Sequence, residues 1–156
     1  MSEDSFHLGI KALIRNTSGQ ILLLQVNPAK LHGQRRDYWD LPGGRIQKEH
    51  TVLDTLRREV EEETGVSDIS NCEPLGMVLS NIRIPIGNDS VGLVLSVYSC
   101  TIPSDATITI SDEHIASRWF LPAEAAKLLA IKYPEDFCQL ISNLSEPGQA
   151  SIHLTS

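Results

Sequence analysis

Three glutamates in the middle of the chain have the type and spacing of a metal-binding group. Glu59, Glu62 and Glu63 occupy positions i, i+3 and i+4 of a predicted helix, so at ~100° per residue their side chains share one arc of its surface. Carboxylates this close repel one another in water unless cations bind between them. Oxygen ligands of this kind select Mg²⁺ or Mn²⁺ over zinc. A solvated acidic helix face is the alternative interpretation.

The helix that carries these glutamates has clear ends in the sequence. Thr51 is typical of a helix start, and Gly65 is typical of a helix end. The sequence therefore predicts a helix over residues 51–64. Its predicted apolar stripe consists of Leu53, Leu56 and Val60.

The loop before the helix and the helix together match a known sequence pattern. Gly43 and Gly44 let the backbone approach a ligand closely. The chain resembles the Nudix hydrolase family, whose box has a Gly, five residues, a Glu, seven residues, Arg-Glu, an aliphatic residue, any residue, Glu-Glu, any residue, Gly and an aliphatic residue. The positions that match in register are Gly44, Arg58, Glu59, Val60, Glu62, Glu63, Gly65 and Val66. So many fixed positions at fixed spacing argue against a chance match.

One position departs from the pattern of the family. Where the family has its first Glu, six residues after Gly44, this chain has His50, and Glu49 lies one residue earlier. A neutral imidazole can accept a hydrogen bond or bind a metal, whereas an imidazolium would oppose cations. We expect the departure to change rate and metal affinity more than the fold. A histidine without a functional role is the alternative.

The resemblance implies a division of roles among the matching residues. Glu59, Glu62 and Glu63 would bind divalent metal, with the carbonyl of Gly43 as a further ligand. Arg58 would orient Glu59 through a charge-assisted hydrogen bond. The catalytic group would comprise Glu59, Arg58 and Glu62, and Glu59 or a neighbouring carboxylate would accept the proton of the attacking water.

A later loop offers one more acidic ligand. The family often adds an acidic residue from such a loop, and Glu113 lies in the expected region. Asp112 competes for the same role, and an exposed acid without a function is the alternative.

The family hydrolyses diphosphate linkages in nucleoside diphosphates joined to another group. The resemblance implies the same reaction here, with Mg²⁺ as cofactor or Mn²⁺ in its place, and with water attacking phosphorus. Outside the box, we predict that Arg35 and Arg36 contact a terminal phosphate and that Trp39 or Tyr38 stacks on a base. A solvated basic loop and a buried aromatic ring are the alternatives for these residues.

The sequence leaves the substrate open among several small nucleotides. ADP-ribose, a dinucleoside polyphosphate, a sugar nucleotide and a damaged nucleoside triphosphate all satisfy the pattern. Lys11 and Arg83 are weaker predicted phosphate contacts. The departure at His50 also favours a second interpretation, a nucleotide-binding module of the same fold without catalysis.

The elements that must position this site alternate between strands and helices. The fold class predicted is α+β, a Nudix-type α/β/α sandwich with a mixed central sheet. We expect the first two strands to form a hairpin about a turn over residues 16–19, and a long loop to follow them. The predicted strands are 7–14, 20–26, 75–84, 91–101 and 115–121. A later helix is predicted to start at Pro122, and a final helix is predicted from the apolar stripe of Phe137, Leu140, Ile141 and Leu144.

Length and composition limit the classes of partner. The chain has 156 residues, of which 41% are hydrophobic, which predicts a single domain over 1–156 with a tail at about 145–156. Its net charge of −7 argues against binding nucleic-acid polymers or anionic membranes. The three cysteines form no CxxC pair, so we expect reduced thiols and a cytoplasmic location. The family resemblance implies that a homodimer can form.

Overall fold

The computed structural model describes residues 2–30 and 38–144, and it contains eight strands and three α-helices in that part of the chain. The predicted tail at 145–156 lies outside the described residues. A short 3-10 turn at Pro28–Lys30 follows the second strand. The elements in chain order are β1 (Phe6–Ile14), β2 (Ile21–Val26), β3 (Trp39–Asp40), β4 (Gly43–Arg45), α1 (Val52–Thr64), β5 (Ser70–Leu79), β6 (Ile84–Ile86), β7 (Asp89–Thr101), β8 (His114–Phe120), α2 (Pro122–Leu129) and α3 (Glu135–Ser142).

The strands form two sheets. In the larger one the order is β4-β1-β7-β5, and β6 pairs with the beginning of β7. In the smaller one the order is β3-β2-β8. The β1–β7 pair is parallel, and the other pairs are antiparallel. The fold is therefore α+β with mixed strand directions, as predicted.

The predicted hairpin of the first two strands is wrong in its pairing. The turn itself forms, because the Gly19 N–H donates to the Asn16 carbonyl at 3.0 Å. Beyond one isolated bridge between Arg15 and Ile21, however, β1 and β2 belong to different sheets. Both strands bury residues on both faces, and such continuous apolar runs give no signal for the partner that each strand chooses.

The two sheets together make one middle layer between helices. On one side α1 packs on alternate residues of β1 and β2, namely Ile10, Ala12, Ile14, Leu22 and Leu24. On the other side α2 and α3 pack on the intervening residues, among them Leu13, Ile21 and Leu23. This arrangement confirms the predicted α/β/α layering, with a split sheet in the centre.

The ends of α1 lie where the sequence predicts them. The Thr51 hydroxyl accepts a hydrogen bond from the Asp54 N–H at 3.1 Å, and Gly65 ends the helix with a left-handed φ of 77°. Leu56 is fully buried as predicted, but Leu53 is 42% exposed. Leu53 lies in the first turn, before the part of the helix that the strands cover.

The final helix shows a similar difference. Phe137 and Ile141 are buried, whereas Leu140 is 40% exposed on the outer face of α3. Within residues 2–30 and 38–144, none of the helices combines the length and the apolar character that crossing a membrane requires.

Candidate active site

Two glycines let the backbone of β4 lie close to β1 on one side and to α1 on the other. Gly43 has a φ of +148°, and a Cβ there would overlap the carbonyl oxygen of Ile10 in β1. At Gly44, a Cβ would overlap the carboxyl group of Glu59. The second glycine therefore lets a helix carboxylate lie directly over the backbone of the preceding strand.

Glu63 is the most deeply placed carboxylate of the group. It is 5% exposed, and its Oε1 accepts a hydrogen bond from the Gly43 N–H at 2.8 Å. Burial raises the pKa of Glu63 to about 8, and the Lys11 charge and the Gly43 hydrogen bond only partly oppose that rise. This buried carboxyl group gains from any nearby cation.

Glu59 lies near other acidic residues, whose charges add to the effect of burial on its pKa. Burial raises the pKa of Glu59, the charge of Glu62 raises it further, and Glu113 from the later loop adds to the effect. The Glu63 carboxyl group is affected by Glu59 in the same direction. The charges of Glu62, Glu63 and Glu113 therefore all interact with that of Glu59, next to Gly44.

Arg58 holds part of this group together. Its Nη2 donates to the Glu59 Oε1 at 3.3 Å, and its Nε lies 3.9 Å from the Glu62 Oε1. Its Nη1 lies 2.9 Å from the His50 Nδ1. Because a guanidinium only donates, His50 accepts here through an unprotonated Nδ1. His50 therefore takes part in positioning Arg58.

The donor set suits a hard cation, although the side chains alone do not enclose one. Among the described residues, no three His, Cys, Asp or Glu side chains converge closely enough to hold a metal ion by themselves. All the acidic side chains at the site are oxygen donors, and their mutual repulsion is neutralised only in part by Arg58 and Lys11. The residues present fit Mg²⁺ or Mn²⁺ that is also bound by other oxygen ligands, such as phosphate and water.

A cleft of about 480 Å³ opens beside these carboxylates. Gly44, Glu63 and Glu113 lie in its wall, so two of the acidic side chains face the space. Lys30 and Asp112 also line the cleft, and their charged groups, both exposed, lie 3.3 Å apart. The other polar residues of the wall are Lys11, Tyr38, Asp40, Arg45, His114 and Lys132.

A buried charged network forms the floor of the cleft. The Asp40 Oδ2 accepts from the ammonium groups of Lys11 at 3.0 Å and Lys132 at 2.6 Å. The Asp40 Oδ1 accepts from the Tyr133 hydroxyl at 2.7 Å and from the Leu41 N–H at 2.8 Å. One carboxylate thus balances two buried ammonium groups and leaves one net positive charge on the three side chains.

The pKa values in this network follow from burial and pairing. Burial alone would raise the pKa of Asp40, but Lys11 and Lys132 hold it well below its ordinary value. Burial lowers the pKa of Lys132 to about 8 in spite of Asp40. Burial works against the charge of Lys11 as well, yet Asp40 and Glu63 outweigh it and raise its pKa.

His114 stands at the start of β8 with a polar atom that lacks a partner. Its Nδ1 is buried and makes no hydrogen bond within the described part of the chain. Burial and the Lys11 charge lower the pKa of His114 to about 4, so the ring is neutral at pH 7. A buried polar atom in a cleft wall is a natural contact for a bound molecule.

The residues predicted to contact substrate lie in different surroundings in the structure. Trp39 packs edge-on against Phe120, with ring centroids 5.0 Å apart, and the aromatic ring in the cleft wall is that of Tyr38. Arg83 is bonded to Asp4 and Ser90. Arg35 and Arg36 lie outside the described residues.

Sequence reasoning missed most of the cleft floor. Asp40, Lys132, Tyr133 and His114 come from three separate segments, and only the packing of the sheets against α2 and α3 brings them together. One signal is present in the sequence: Lys11 is a single charged residue inside an apolar strand. Such a residue needs a buried partner.

The fit between Gly44 and Glu59 gives a direct prediction. In Gly44→Ala the new Cβ pushes the Glu59 carboxyl group aside, so we expect kcat/KM to fall by about 10²-fold, the usual effect of displacing a reacting group by about 1 Å. Gly76→Ala is the control, because its Cβ meets only Phe137 at 3.9 Å. Steady-state kinetics of the two variants measure this difference. Equal activity of Gly44→Ala and Gly76→Ala would contradict the close approach of Gly44 to Glu59.

Comparisons with known proteins agree on one family. The model of the NUDIX domain matches residues 5–139. The chain is 25% identical over 127 residues to the 8-oxo-dGDP phosphatase NUDT18 of Danio rerio, covering 78% of this chain and 36% of that protein. It is 32% identical over 95 residues to a MutT-like protein of Streptomyces ambofaciens, covering 61% of this chain and 55% of that protein. The chain therefore spans about a third to a half of the length of these relatives.

A solved structure shows the same fold. The crystal structure of a MutT protein from Methanosarcina mazei Go1 superposes with a TM-score of 0.63 at 25% identity, covering 90% of this chain and 96% of the other. The family match over residues 5–139 includes the whole box, the cleft wall and most of α3. The chain belongs to the Nudix hydrolase family.

Proposed function

We propose that this chain hydrolyses the diphosphate linkage of a nucleoside diphosphate derivative or a nucleoside triphosphate, with Mg²⁺ as cofactor. The observation that carries the proposal is that one cleft is lined both by the acidic group, through Glu63, Gly44 and Glu113, and by buried hydrogen-bond donors such as Lys132. A diphosphate beside the acidic group and the rest of the nucleotide in the cleft would fit this arrangement.

The ligands for the metal would be the acidic side chains of the box and of the later loop. We propose the carboxylates of Glu59, Glu62, Glu63 and Glu113, with the Gly43 carbonyl as a further oxygen donor. When bound, the metal supplies charge neutralisation for the diphosphate and lowers the pKa of a bound water. Mn²⁺ would serve in its place because it takes the same oxygen ligands.

The proton of the attacking water would pass to the Glu59 carboxylate. Glu59 has a raised pKa from burial and from its acidic neighbours, which makes it a stronger base than an ordinary carboxylate. Arg58 would hold it in place through the contact at 3.3 Å. The close approach at Gly44 fixes the side chain from the other direction.

The cleft floor would select the non-phosphate part of the substrate. The ammonium group of Lys132 can donate more than its bond to Asp40, and it lies beside the neutral His114 in the cleft wall. A lysine suits the O6 acceptor that guanine and 8-oxoguanine share better than the amino group of adenine. The substrate named for the zebrafish relative, 8-oxo-dGDP, belongs to this chemical class.

The test is product release from a panel of nucleotides. The panel contains the diphosphates and triphosphates of deoxyguanosine, 8-oxodeoxyguanosine and deoxyadenosine. It also contains ADP-ribose, a sugar nucleotide and a dinucleoside polyphosphate, and each compound is assayed with Mg²⁺ or with EDTA. We expect turnover with Mg²⁺ only, and faster turnover of oxo-purines than of adenine nucleotides. Metal-independent turnover overturns the cofactor, and preference for adenine overturns the role of the cleft floor.

A nucleotide-binding module without catalysis is the second candidate. The observation that favours it is His50, which stands where the family has a Glu. Nucleotide binding without turnover of any compound in the panel would support this candidate. We further propose that this protein is located in the cytoplasm, because its three cysteines are free thiols.

Metal binding should also stabilise the fold. Mg²⁺ relieves the repulsion at Glu59 and Glu63, so at a concentration of 100 times Kd we expect about 2.7 kcal/mol of added stability. That corresponds to a rise in Tm of roughly 5–10 °C for a domain of this size. Differential scanning fluorimetry measures it, and a Glu59→Gln/Glu63→Gln double variant is the control. An equal rise in that variant contradicts binding at these residues.

His50 allows a gain-of-function prediction. His50→Glu would give Arg58 a carboxylate partner and add negative charge near the metal ligands, so we expect kcat/KM to rise about 10-fold, the size of effect that supporting residues at metal sites have. His50→Gln is the matched control, since it accepts a hydrogen bond without adding charge. If both variants change activity equally, charge at this position has no role.

A further inference from the structure

Two of the three cysteines meet across a pair of strands. Between the register pairs Ser70–Thr101 and Glu73–Ser99, β5 has two residues where β7 has only Cys100. The two are Asn71, with a left-handed φ of 53°, and Cys72. This is a β-bulge, and it leaves Cys72 and Cys100 as cross-strand neighbours.

The two side chains also share one environment. Cys100 is buried in the core between α1 and the sheets, and the partly exposed Cys72 packs against the same core. Burial raises the pKa of Cys100, and the neighbouring Cys72 side chain raises it further. Both residues of a bulge face the single residue of the partner strand, so the Cα atoms of Cys72 and Cys100 should be about as close as those of paired residues, roughly 4.5–5.5 Å, within the range that a disulfide spans.

The third cysteine is separate from this pair. Cys138 is buried in α3 on the opposite side of the sheets, where its thiol contacts the Tyr133 carbonyl at 3.6 Å. It therefore serves as an internal reference, a buried thiol without a neighbouring cysteine among the described residues.

We propose that Cys72 and Cys100 are a modification site, a dithiol that oxidises reversibly to a disulfide across the β5–β7 bulge. The oxidant is a small-molecule disulfide such as oxidised glutathione. The Cys72 thiolate attacks it, forms a mixed disulfide and releases one thiolate. The Cys100 thiol then gives up its proton to the departing thiolate as its sulfur attacks the Cys72 sulfur, and the second thiol is released. The protein loses two protons and two electrons, and the oxidant becomes two thiols.

The order of the steps follows from exposure. Cys72 reaches solvent and reacts first, whereas Cys100 is 1% exposed and reacts only with its neighbour. Val97 of β7 pairs with Lys11, a residue of the cleft floor, and Cys100 lies three residues further along β7. Three residues of a strand span roughly 10 Å, so Cys100 is about that far from the cleft floor. The bond should therefore change stability and leave hydrolysis unaffected, whatever reaction the cleft performs.

The experiment treats the folded full chain with oxidised glutathione, removes the oxidant, alkylates the remaining thiols in denaturant and measures intact mass and linked peptides. We expect the loss of two hydrogen atoms, a Cys72–Cys100 peptide link, an alkylated Cys138 and a rise in Tm of roughly 5 °C or more. Cys100→Ser should instead keep one glutathione on Cys72, and Cys138→Ser should behave like the native chain.

Three outcomes overturn the proposal. The first is a native chain that keeps glutathione on Cys72, because Cys100 then fails to complete the exchange. The second is a link that involves Cys138. The third is a native chain whose three thiols all stay free, since Cys72 is then closed to the oxidant. Reduction with dithiothreitol must restore the original mass and Tm, because an irreversible product also contradicts a disulfide.

Discussion

Replacing Glu59 by Gln should lower kcat by about 10²–10⁴-fold, the range for removing a general base. The amide keeps the size of the side chain beside Gly44 but cannot accept the proton of water, and it is a weaker metal ligand. The substitution also removes one of the like charges around Glu62 and Glu113. We therefore expect unchanged or higher thermal stability together with the loss of activity, and kinetics and thermal unfolding of the same preparation measure both.

Glu61→Gln is the matched control for this prediction. Glu61 is an exposed glutamate of the same helix, two residues from Glu59, and the predicted arc of acidic side chains excludes it. It should keep nearly full activity. If Glu61→Gln loses as much activity as Glu59→Gln, net charge on the helix explains the loss and the assignment of Glu59 as base is wrong.

Replacing Asp40 by Asn should destabilise the fold by about 3–5 kcal/mol, the usual result of leaving a buried charge without its partner. The amide has the same shape as the carboxylate, but it leaves the ammonium groups of Lys11 and Lys132 without a balancing charge. Urea unfolding at pH 7 measures the change. Asp112→Asn is the control, because its ion pair with Lys30 is exposed and should contribute at most about 1 kcal/mol.

The same network predicts a dependence of stability on pH. The folded state holds the pKa of Asp40 below its ordinary 3.8, so the unfolded chain takes up a proton first as the pH falls. The contribution of Asp40 is complete above about pH 5 and is lost as the pH drops through 4 and below. Asp40→Asn should lack this part of the acid sensitivity. A native chain and a variant with parallel pH profiles would contradict the ionised buried network.

The sequence predicts the parts of the fold that local patterns determine. The ends of α1 depend on Thr51 and Gly65, which act within one turn of helix, and the prediction of both is confirmed. The pairing of β1 and β2 depends on partners far along the chain, and the predicted hairpin is wrong. An apolar strand buried on both faces carries no local mark of its neighbours.

The same division holds for the site. The acidic arc and Arg58 lie within six residues of one helix, so spacing alone brings them together. The cleft floor combines Lys11, Asp40 and Lys132, which are separated by 29 and 92 residues in sequence. Only the closure of the sandwich shows that these residues meet. The proximity of Cys72 and Cys100 could not be predicted from the sequence either, because it depends on the bulge between β5 and β7.

The most direct test of the central claim is hydrolysis in ¹⁸O-labelled water with Mg²⁺, using the nucleotide of the panel that turns over fastest and locating the label by mass spectrometry. We predict one labelled oxygen on a phosphoryl group of one product, no labelled product with EDTA, and labelling slowed by about 10²-fold or more with Glu59→Gln. Label on a sugar carbon, or product formation at the native rate in Glu59→Gln, would contradict attack of water on phosphorus at this site.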